Sequence, residues 1–175
     1  MVQEGGGHDM KKIILICVLI SGLLVPFVFA EEKVVDEIVV DFGIISWEDI
    51  EAGIKERPST HTEEYHHKMA KAMSEMHGGG GKGEYHVMIM LKEKASGKPI
   101  KNENVWVTAV SQAAPETITH KLKPITMDEY YGYGEFFKLN FPGLYVFQVK
   151  IDLTSMVPSG AITRRTEFER KIPSR

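Results

Sequence analysis

The chain has 175 residues, of which 43% are hydrophobic and 26% charged, and its formal net charge is −3. This length and composition indicate one globular domain with a short additional segment, and they exclude collagen-like, disordered and large membrane proteins. A near-neutral balance also argues against nucleic-acid binding, which favours a basic face. The only cysteine, Cys17, lies in the N-terminal segment, so no disulfide and no catalytic or metal-binding thiolate is expected in the rest of the chain.

Residues 1–30 have the pattern of a secretory leader. Lys11 and Lys12 precede an apolar run that ends in Val-Phe-Ala, and a basic, an apolar and a small-residue region in this order are typical of a signal peptide. The pattern predicts export to a periplasm or cell surface, with cleavage after Ala30. The alternative is an uncleaved membrane anchor, because the 18 residues from 13 to 30 approach the length that spans a bilayer.

Residues 31–83 are predicted to form an N-terminal extension with one strand, two helices and a glycine linker. KVVDEIVVDF, residues 33–42, is rich in β-branched residues and predicts the strand. SWEDIEAGIKERP predicts a short helix capped by Ser46, and residues 61–77 predict a second helix that ends before Gly78. The GGGGKG that follows is predicted to be a flexible linker.

The sequence from residue 84 to 175 predicts a β-sandwich domain. EYHVMIMLKEK and NVWVTAVS alternate between apolar and polar residues, and ETITHKLKPI, YGYGEFFKLNF, LYVFQVKIDL and ITRRTEFERKI follow between turn residues. Short strands at regular spacing are typical of an antiparallel immunoglobulin-like sandwich, so the predicted fold class is mainly β. The alternating charges of ITRRTEFERKI indicate a solvated face or a protected edge strand.

The stretches HVMIMLKEKASGKPIKNENVWVTAV and YGYGEFFKLNFPGLYVFQVKI resemble exported immunoglobulin-like domains of the YtkA and FixH type, and more distantly the CopC copper carriers. The resemblance covers about residues 84 to 153. It rests on an opening strand, a G-K-P-I-x-N-x-x-V turn and strand, and a late G-x-Y-x-F-x-V strand, so it implies the sandwich more than an activity. CopC proteins usually carry a metal-binding histidine at the mature N-terminus, where this chain has Glu31, and that site is not carried over.

Histidine and methionine are concentrated in one region. Ten of the 13 that follow the leader lie between residues 61 and 90. On a helix, four of them fall within about 80° of one another: His66, Met69, Met73 and His77. Imidazole and thioether donors together suit Cu(I), so this stripe is a candidate soft-metal site.

A second stripe is predicted on the strand that follows the linker. Alternation directs Tyr85, Val87, Ile89 and Leu91 to the core, and it directs His86, Met88 and Met90 to the other face. If the helix folds back over this strand, the two stripes meet in one pocket and bind copper. The competing interpretation is packing, because methionine fills gaps in cores and a methionine stripe on a helix is more often core than metal site.

The predicted function is therefore an exported copper-binding or copper-handling protein. Its cofactor would be a copper ion, passed to a membrane transporter or to an oxidase under assembly. The alternative is a metal-free interaction module that binds a protein partner through the sandwich and the methionine-rich helix. We expect no enzymatic activity, because G-x-S-x-G and HExxH are absent and the glycine run follows a helix, where a dinucleotide site would need a strand.

Overall fold

The computed structural model of the protein describes residues 31–55, 75, 80–127, 130–154, 160 and 162–174. In chain order these residues form β1 (Glu31–Val35), β2 (Ile38–Ser46), α1 (Trp47–Lys55), β3 (Glu84–Glu93), β4 (Asn104–Ser111), β5 (Thr117–Lys121), β6 (Lys123–Met127), β7 (Tyr130–Lys138), β8 (Gly143–Leu153) and β9 (Ile162–Ile172). The first sheet has the strand order β1-β2-β3-β7-β6 and the second sheet β5-β4-β8-β9, and neighbouring strands are antiparallel. The predicted mainly β sandwich is confirmed.

The core lies between the two sheets and is built by the period-two alternation of the strands. On β8, Tyr145, Phe147 and Val149 point inward and are almost completely buried. The ring centroid of Phe42 on β2 lies 5.1 Å from that of Phe147 and 4.8 Å from that of Phe168 on β9, so aromatic contacts join the sheets. Burial of each such side chain contributes about 1.5–3 kcal/mol to folding.

The first predicted strand, residues 33–42, is in fact a hairpin. Asp36 has a φ of 53°, and Val35 and Ile38 pair directly across the turn. Aspartate tolerates this left-handed conformation and is favoured in two-residue hairpin turns. The prediction of one continuous strand was wrong because it missed this turn signal between two β-branched runs.

Strand β2 pairs with β3 over its whole length, from Ile38 opposite Glu93 to Ser46 opposite Tyr85. Residues 31–46 are therefore part of the sandwich, whereas the sequence analysis placed them in an extension before it. Pairing between strands that are far apart in the chain leaves no local signal in the sequence.

The predicted short helix is present, and it follows β2 without a loop. The Ser46 hydroxyl accepts a hydrogen bond from the Asp49 amide (3.1 Å) and donates one to the Asp49 carboxylate (2.5 Å), which caps the first turn. The helix packs on the outer face of the first sheet, the face opposite the core. There Ile50 is 1% exposed and packs against Met88 of β3 and Phe136 of β7.

The predicted strand ETITHKLKPI is divided between the two sheets, because β5 pairs with β4 and β6 pairs with β7. Between them Leu122 is buried, and its amide donates to the Val105 carbonyl (2.8 Å). Pro124 fits in β6 because this is an edge strand, where a missing amide donor is tolerated. The chain thus crosses from one sheet to the other at a point that alternation alone does not mark.

The predicted helix over residues 61–77 lies outside the described residues, apart from Glu75, which is helical and exposed. The predicted leader, residues 1–30, also lies outside them. Within the described part of the chain, no helix combines the length and the hydropathy that are needed to cross a membrane.

Candidate metal centre

The structure describes three of the seven predicted metal ligands. The helical donors His66, Met69, Met73 and His77 lie outside the described residues. The strand donors His86, Met88 and Met90 lie on β3. Their alternating neighbours Tyr85, Val87, Ile89 and Leu91 are buried in the core between the sheets, as predicted. The three strand donors therefore lie on the outer face of the first sheet, on the same side as α1.

His86 is fully buried although it faces away from the core. Its ring meets Phe136, its direct partner on β7, edge to face with 4.8 Å between centroids. The imidazole also lies over Gly134: an ideal Cβ on that glycine would lie 2.6 Å from His86 Cε1 and 2.9 Å from Nε2. The ring can occupy this position only because residue 134 has no side chain.

The lean of His86 brings its Nε2 into the neighbourhood of Met88. Gly134 is the direct partner of Met88 in the register of β3 and β7, and the Cβ positions of directly opposed residues are about 4.5–5.5 Å apart. The Nε2 atom therefore lies within about 8 Å of the Met88 Cβ, given this spacing. The imidazole and the Met88 side chain therefore lie over neighbouring positions on the same face of the sheet.

Met88 lies in an apolar environment. It is partly buried and packs against Ile50, in a cluster that also contains Ile45, Trp47 and Phe136. Thioether sulfur is polarizable and makes favourable contacts with aromatic rings. Met88 thus packs under α1 on the same face as the other candidate donors.

Met90 lies two residues after Met88 on β3, opposite Asp41 of β2. Its Cγ is 3.2 Å from an ideal Cβ on Gly132, so it leans over a second glycine of β7. Four residues of strand separate His86 from Met90, a distance of about 13 Å. The three candidate donors are therefore spread along the strand and do not surround one point.

The carboxylate nearest to this stripe in the register is already neutralised. Asp41 is 4% exposed, and its Oδ2 lies 2.6 Å from Lys92 Nζ on β3. A buried carboxylate that is paired in this way keeps its charge balanced without a metal ion. Over the residues that the structure describes, no group of three or more His, Cys, Asp or Glu side chains is arranged to hold a metal.

The last part of the predicted flexible linker is held in place. An ideal Cβ on Gly80 would lie 2.8 Å from a Phe136 ring carbon and 2.9 Å from a Trp47 ring carbon, so this glycine packs closely against both rings. The Gly83 amide donates to Glu48 Oε1 of α1 (3.1 Å). The chain thus returns to the sheet beside the start of α1.

Both ends of the segment 56–79 are consequently attached to the same helix. The segment leaves at Lys55, the last residue of α1, and its following residue Gly80 contacts Trp47, the first. A nine-residue helix is only about 13 Å long. The chain therefore leaves α1 at its last residue and returns beside its first residue.

Sequence reasoning missed the aromatic residues that surround the donors. The rings of Trp47 and Phe136 meet on the outer face with 5.7 Å between centroids. The spacing of Trp47 and Ile50 was a usable signal for a covered helix face. The position of Phe136 opposite His86 depends on strand register and has no local signal.

No family model matches the chain, and no curated protein matches it in sequence. Solved structures do share its fold. A DUF4426 family protein from Pseudomonas aeruginosa PAO1 is 12% identical, with a TM-score of 0.57 and coverage of 81% of this chain and 93% of that chain.

Two further structures contain copper. A copper-bound variant of FetP from a uropathogenic Escherichia coli strain is 14% identical, with a TM-score of 0.52 and coverage of 81% of this chain and 93% of that one. The copper-reconstituted P19 protein from Campylobacter jejuni is 9% identical, with a TM-score of 0.52 and coverage of 81% and 92%. At these identities the similarity shows a common β-sandwich fold.

Proposed function

We propose that this chain is an exported copper-binding protein that holds Cu(I) through His86 and Met88. The observation that carries the proposal is the position of the His86 imidazole. It lies over Gly134, the residue that pairs with Met88 across β3 and β7. Imidazole and thioether are the donors that suit Cu(I) in a chain without a cysteine in its folded domain. Thioethers contribute little to zinc or nickel sites, so copper is favoured over these metals.

Further donors would come from the rest of the two stripes. The helical residues His66, Met69, Met73 and His77 complete the coordination in this proposal, and Met90 forms a second pair with Met88. The attachment of both ends of segment 56–79 to α1 supports the meeting of the two stripes, because a tether raises the effective concentration of one donor set near the other.

The setting of the proposed function follows from the leader and from the fold. We infer export to a periplasm or cell surface, no catalytic activity, and transfer of copper to a membrane transporter or to an oxidase under assembly. Copper-bound FetP and P19 share the sandwich, and FetP was expressed recombinantly in the periplasm, which supports this setting. The relation to YtkA and FixH domains is part of the same proposal.

The test is a competition titration of the exported protein with Cu(I) against a chromophoric chelator. A variant with leucine at positions 69, 73, 88 and 90 removes the four stripe methionines at small cost to packing, because Met to Leu nearly conserves volume. We expect tight one-to-one binding by the parent and a loss of more than about a hundredfold in the variant, since outer-shell changes alone cost about 10–100-fold. A variant with Met127 and Met156 changed to leucine is the matched control.

Equal affinity of the parent and the four-leucine variant would contradict the proposal. The methionines would then be packing residues, in agreement with the contact of Met88 with the almost fully buried Ile50. That contact favours a packing role for Met88. Absence of Cu(I) binding by a correctly folded parent would have the same meaning, and a protein partner would be sought.

A further inference from the structure

An aromatic pair adjoins the His86 imidazole on the outer face of the first sheet. Phe136 meets the imidazole edge to face at 4.8 Å. Trp47 meets Phe136 at 5.7 Å and an interplanar angle of 78°, and it lies in the same apolar cluster as Met88. We call Trp47 and Phe136 together the aromatic wall.

The aromatic wall is fixed by the chain around it. Gly80 lies against both rings with no room for a Cβ. Trp47 is the first residue of α1, whose N-terminus is capped by the hydrogen bonds between Ser46 and Asp49. The position of the indole is therefore set by the helix start on one side and by the returning chain on the other. A wall held in this way is in place before an ion arrives.

Such a wall treats the two oxidation states of copper differently. The face of an aromatic ring attracts a cation within about 6 Å of its centroid, and indole does so most strongly. The donor pair itself is neutral, since it consists of an imidazole and a thioether. A neutral, apolar site offers little to offset the large hydration free energy of a divalent ion, whereas a soft monovalent ion loses less on entering.

We propose that the aromatic wall contacts the ion held by His86 and Met88 and makes this site selective for Cu(I) over Cu(II). This inference rests on the proposed function, because it requires copper at the His86–Met88 pair. It adds the selectivity against Cu(II) and two residues that neither ligate the ion nor belong to the donor stripes. Trp47 and Phe136 are positioning and selectivity residues in this proposal.

The chain contains only two tryptophans, which makes the proposal directly observable. Trp106 lies on β4 of the second sheet, where its side chain is 37% exposed. The variant Trp106→Phe therefore leaves Trp47 as the only indole, and Trp47→Phe leaves Trp106. Each variant reports on one side of the sandwich, and each serves as the control for the other.

The experiment is a titration of both full-length exported variants with Cu(I) under reducing conditions and with Cu(II), followed by tryptophan emission. We expect the emission of Trp106→Phe to change with Cu(I) until one equivalent is bound, and the emission of Trp47→Phe to stay constant. Competition with chelators gives the affinities. The double variant Trp106→Phe, Trp47→Leu should bind Cu(I) about tenfold more weakly than Trp106→Phe, with an unchanged affinity for Cu(II).

The outcomes separate this inference from the proposed function. Tight Cu(I) binding without a change in Trp47 emission, and with equal Cu(I) to Cu(II) selectivity in the two variants, would overturn the aromatic wall and leave the copper function intact. Absence of Cu(I) binding would overturn both. Circular dichroism of each variant, and the milder Trp47→Phe substitution, distinguish a lost contact from a lost fold.

Discussion

At the scale of single residues, glycines determine where the candidate donors lie. Alternation along β3 was enough to predict that His86 and Met88 face away from the core. It was not enough to predict that the imidazole leans over Gly134 on the neighbouring strand, because this position depends on a residue that is far away in the sequence. The face on which the candidate donors lie was therefore predictable from the sequence, and the position of the imidazole over Gly134 was not.

The space over Gly134 gives the first prediction at this scale. In Gly134→Ala, the new Cβ would lie 2.6 Å from His86 Cε1 and 2.6 Å from Ile125 Cδ1, so both side chains must move. We expect a loss of about 1–3 kcal/mol in the free energy of unfolding, as is usual for overpacking. We also expect weaker Cu(I) binding, because the imidazole is displaced from its position over residue 134, opposite Met88. Urea unfolding and chelator competition measure the two effects.

Gly81→Ala is the matched control for this substitution. A Cβ at residue 81 would meet nothing closer than 3.6 Å, the distance to Glu84 Oε2. Its unfolding free energy should stay within about 1 kcal/mol of the parent, since the added methyl group causes no clash. If Gly134→Ala were as stable as Gly81→Ala and bound Cu(I) equally well, the imidazole would not occupy the position that the structure gives it.

At the scale of elements, helix α1 covers part of the outer face of the first sheet, where Ile50 packs against Met88 and Phe136. Its start was predictable, because a serine before an apolar repeat with an acidic first turn is a typical N-terminus. Its location on the outer face of the first sheet was not, since β2 and β3 pair only in the folded chain. The same reason explains why ETITHKLKPI, a single run in the sequence, is divided between two sheets.

The cap of α1 gives a prediction for this element. Ser46→Ala removes the hydroxyl that accepts from the Asp49 amide, and we expect a loss of about 1 kcal/mol in unfolding free energy. Ser46→Thr retains the hydroxyl and should cost less, because threonine also caps helices. Denaturant unfolding of the three proteins measures the difference, and equal losses for alanine and threonine would mean that the hydroxyl does not cap the helix.

At the scale of the whole molecule, the two sheets are joined along the side where edge strands β1 and β9 approach each other. Arg170 Nη1 donates to Glu31 Oε2 at 2.8 Å, and its guanidinium lies 5.2 Å from the Phe42 ring centroid. Lys33 Nζ donates to the Glu167 carbonyl at 2.6 Å. These contacts cover edges that would otherwise be open to pairing with another chain. The alternating charges of β9 predicted a solvated face or an edge strand, but not the partner of each charge.

The Glu31–Arg170 pair makes the stability of the sandwich depend on pH. The hydrogen bond from Arg170 holds the pKa of Glu31 below its usual value of 4.5. A carboxylate with a lowered pKa stabilises the folded state above its unfolded pKa, and this contribution is lost as the pH falls through the folded value. We therefore expect Glu31→Gln to be less stable than the parent at neutral pH and to converge with it in acid.

The measurement is urea unfolding of the parent and of Glu31→Gln over a series of pH values from neutral to acid. Glu32→Gln, at the exposed neighbouring position of β1, is the control and should follow the parent. The effect of Glu31 is expected to be modest, because its side chain is 31% exposed and solvent screens the pair. If Glu31→Gln lost stability in acid as steeply as the parent, the ion pair would not hold β1 and β9 together. The apolar contacts of Phe42 and Phe168 and the Lys33 hydrogen bond would then join the two sheets on this side.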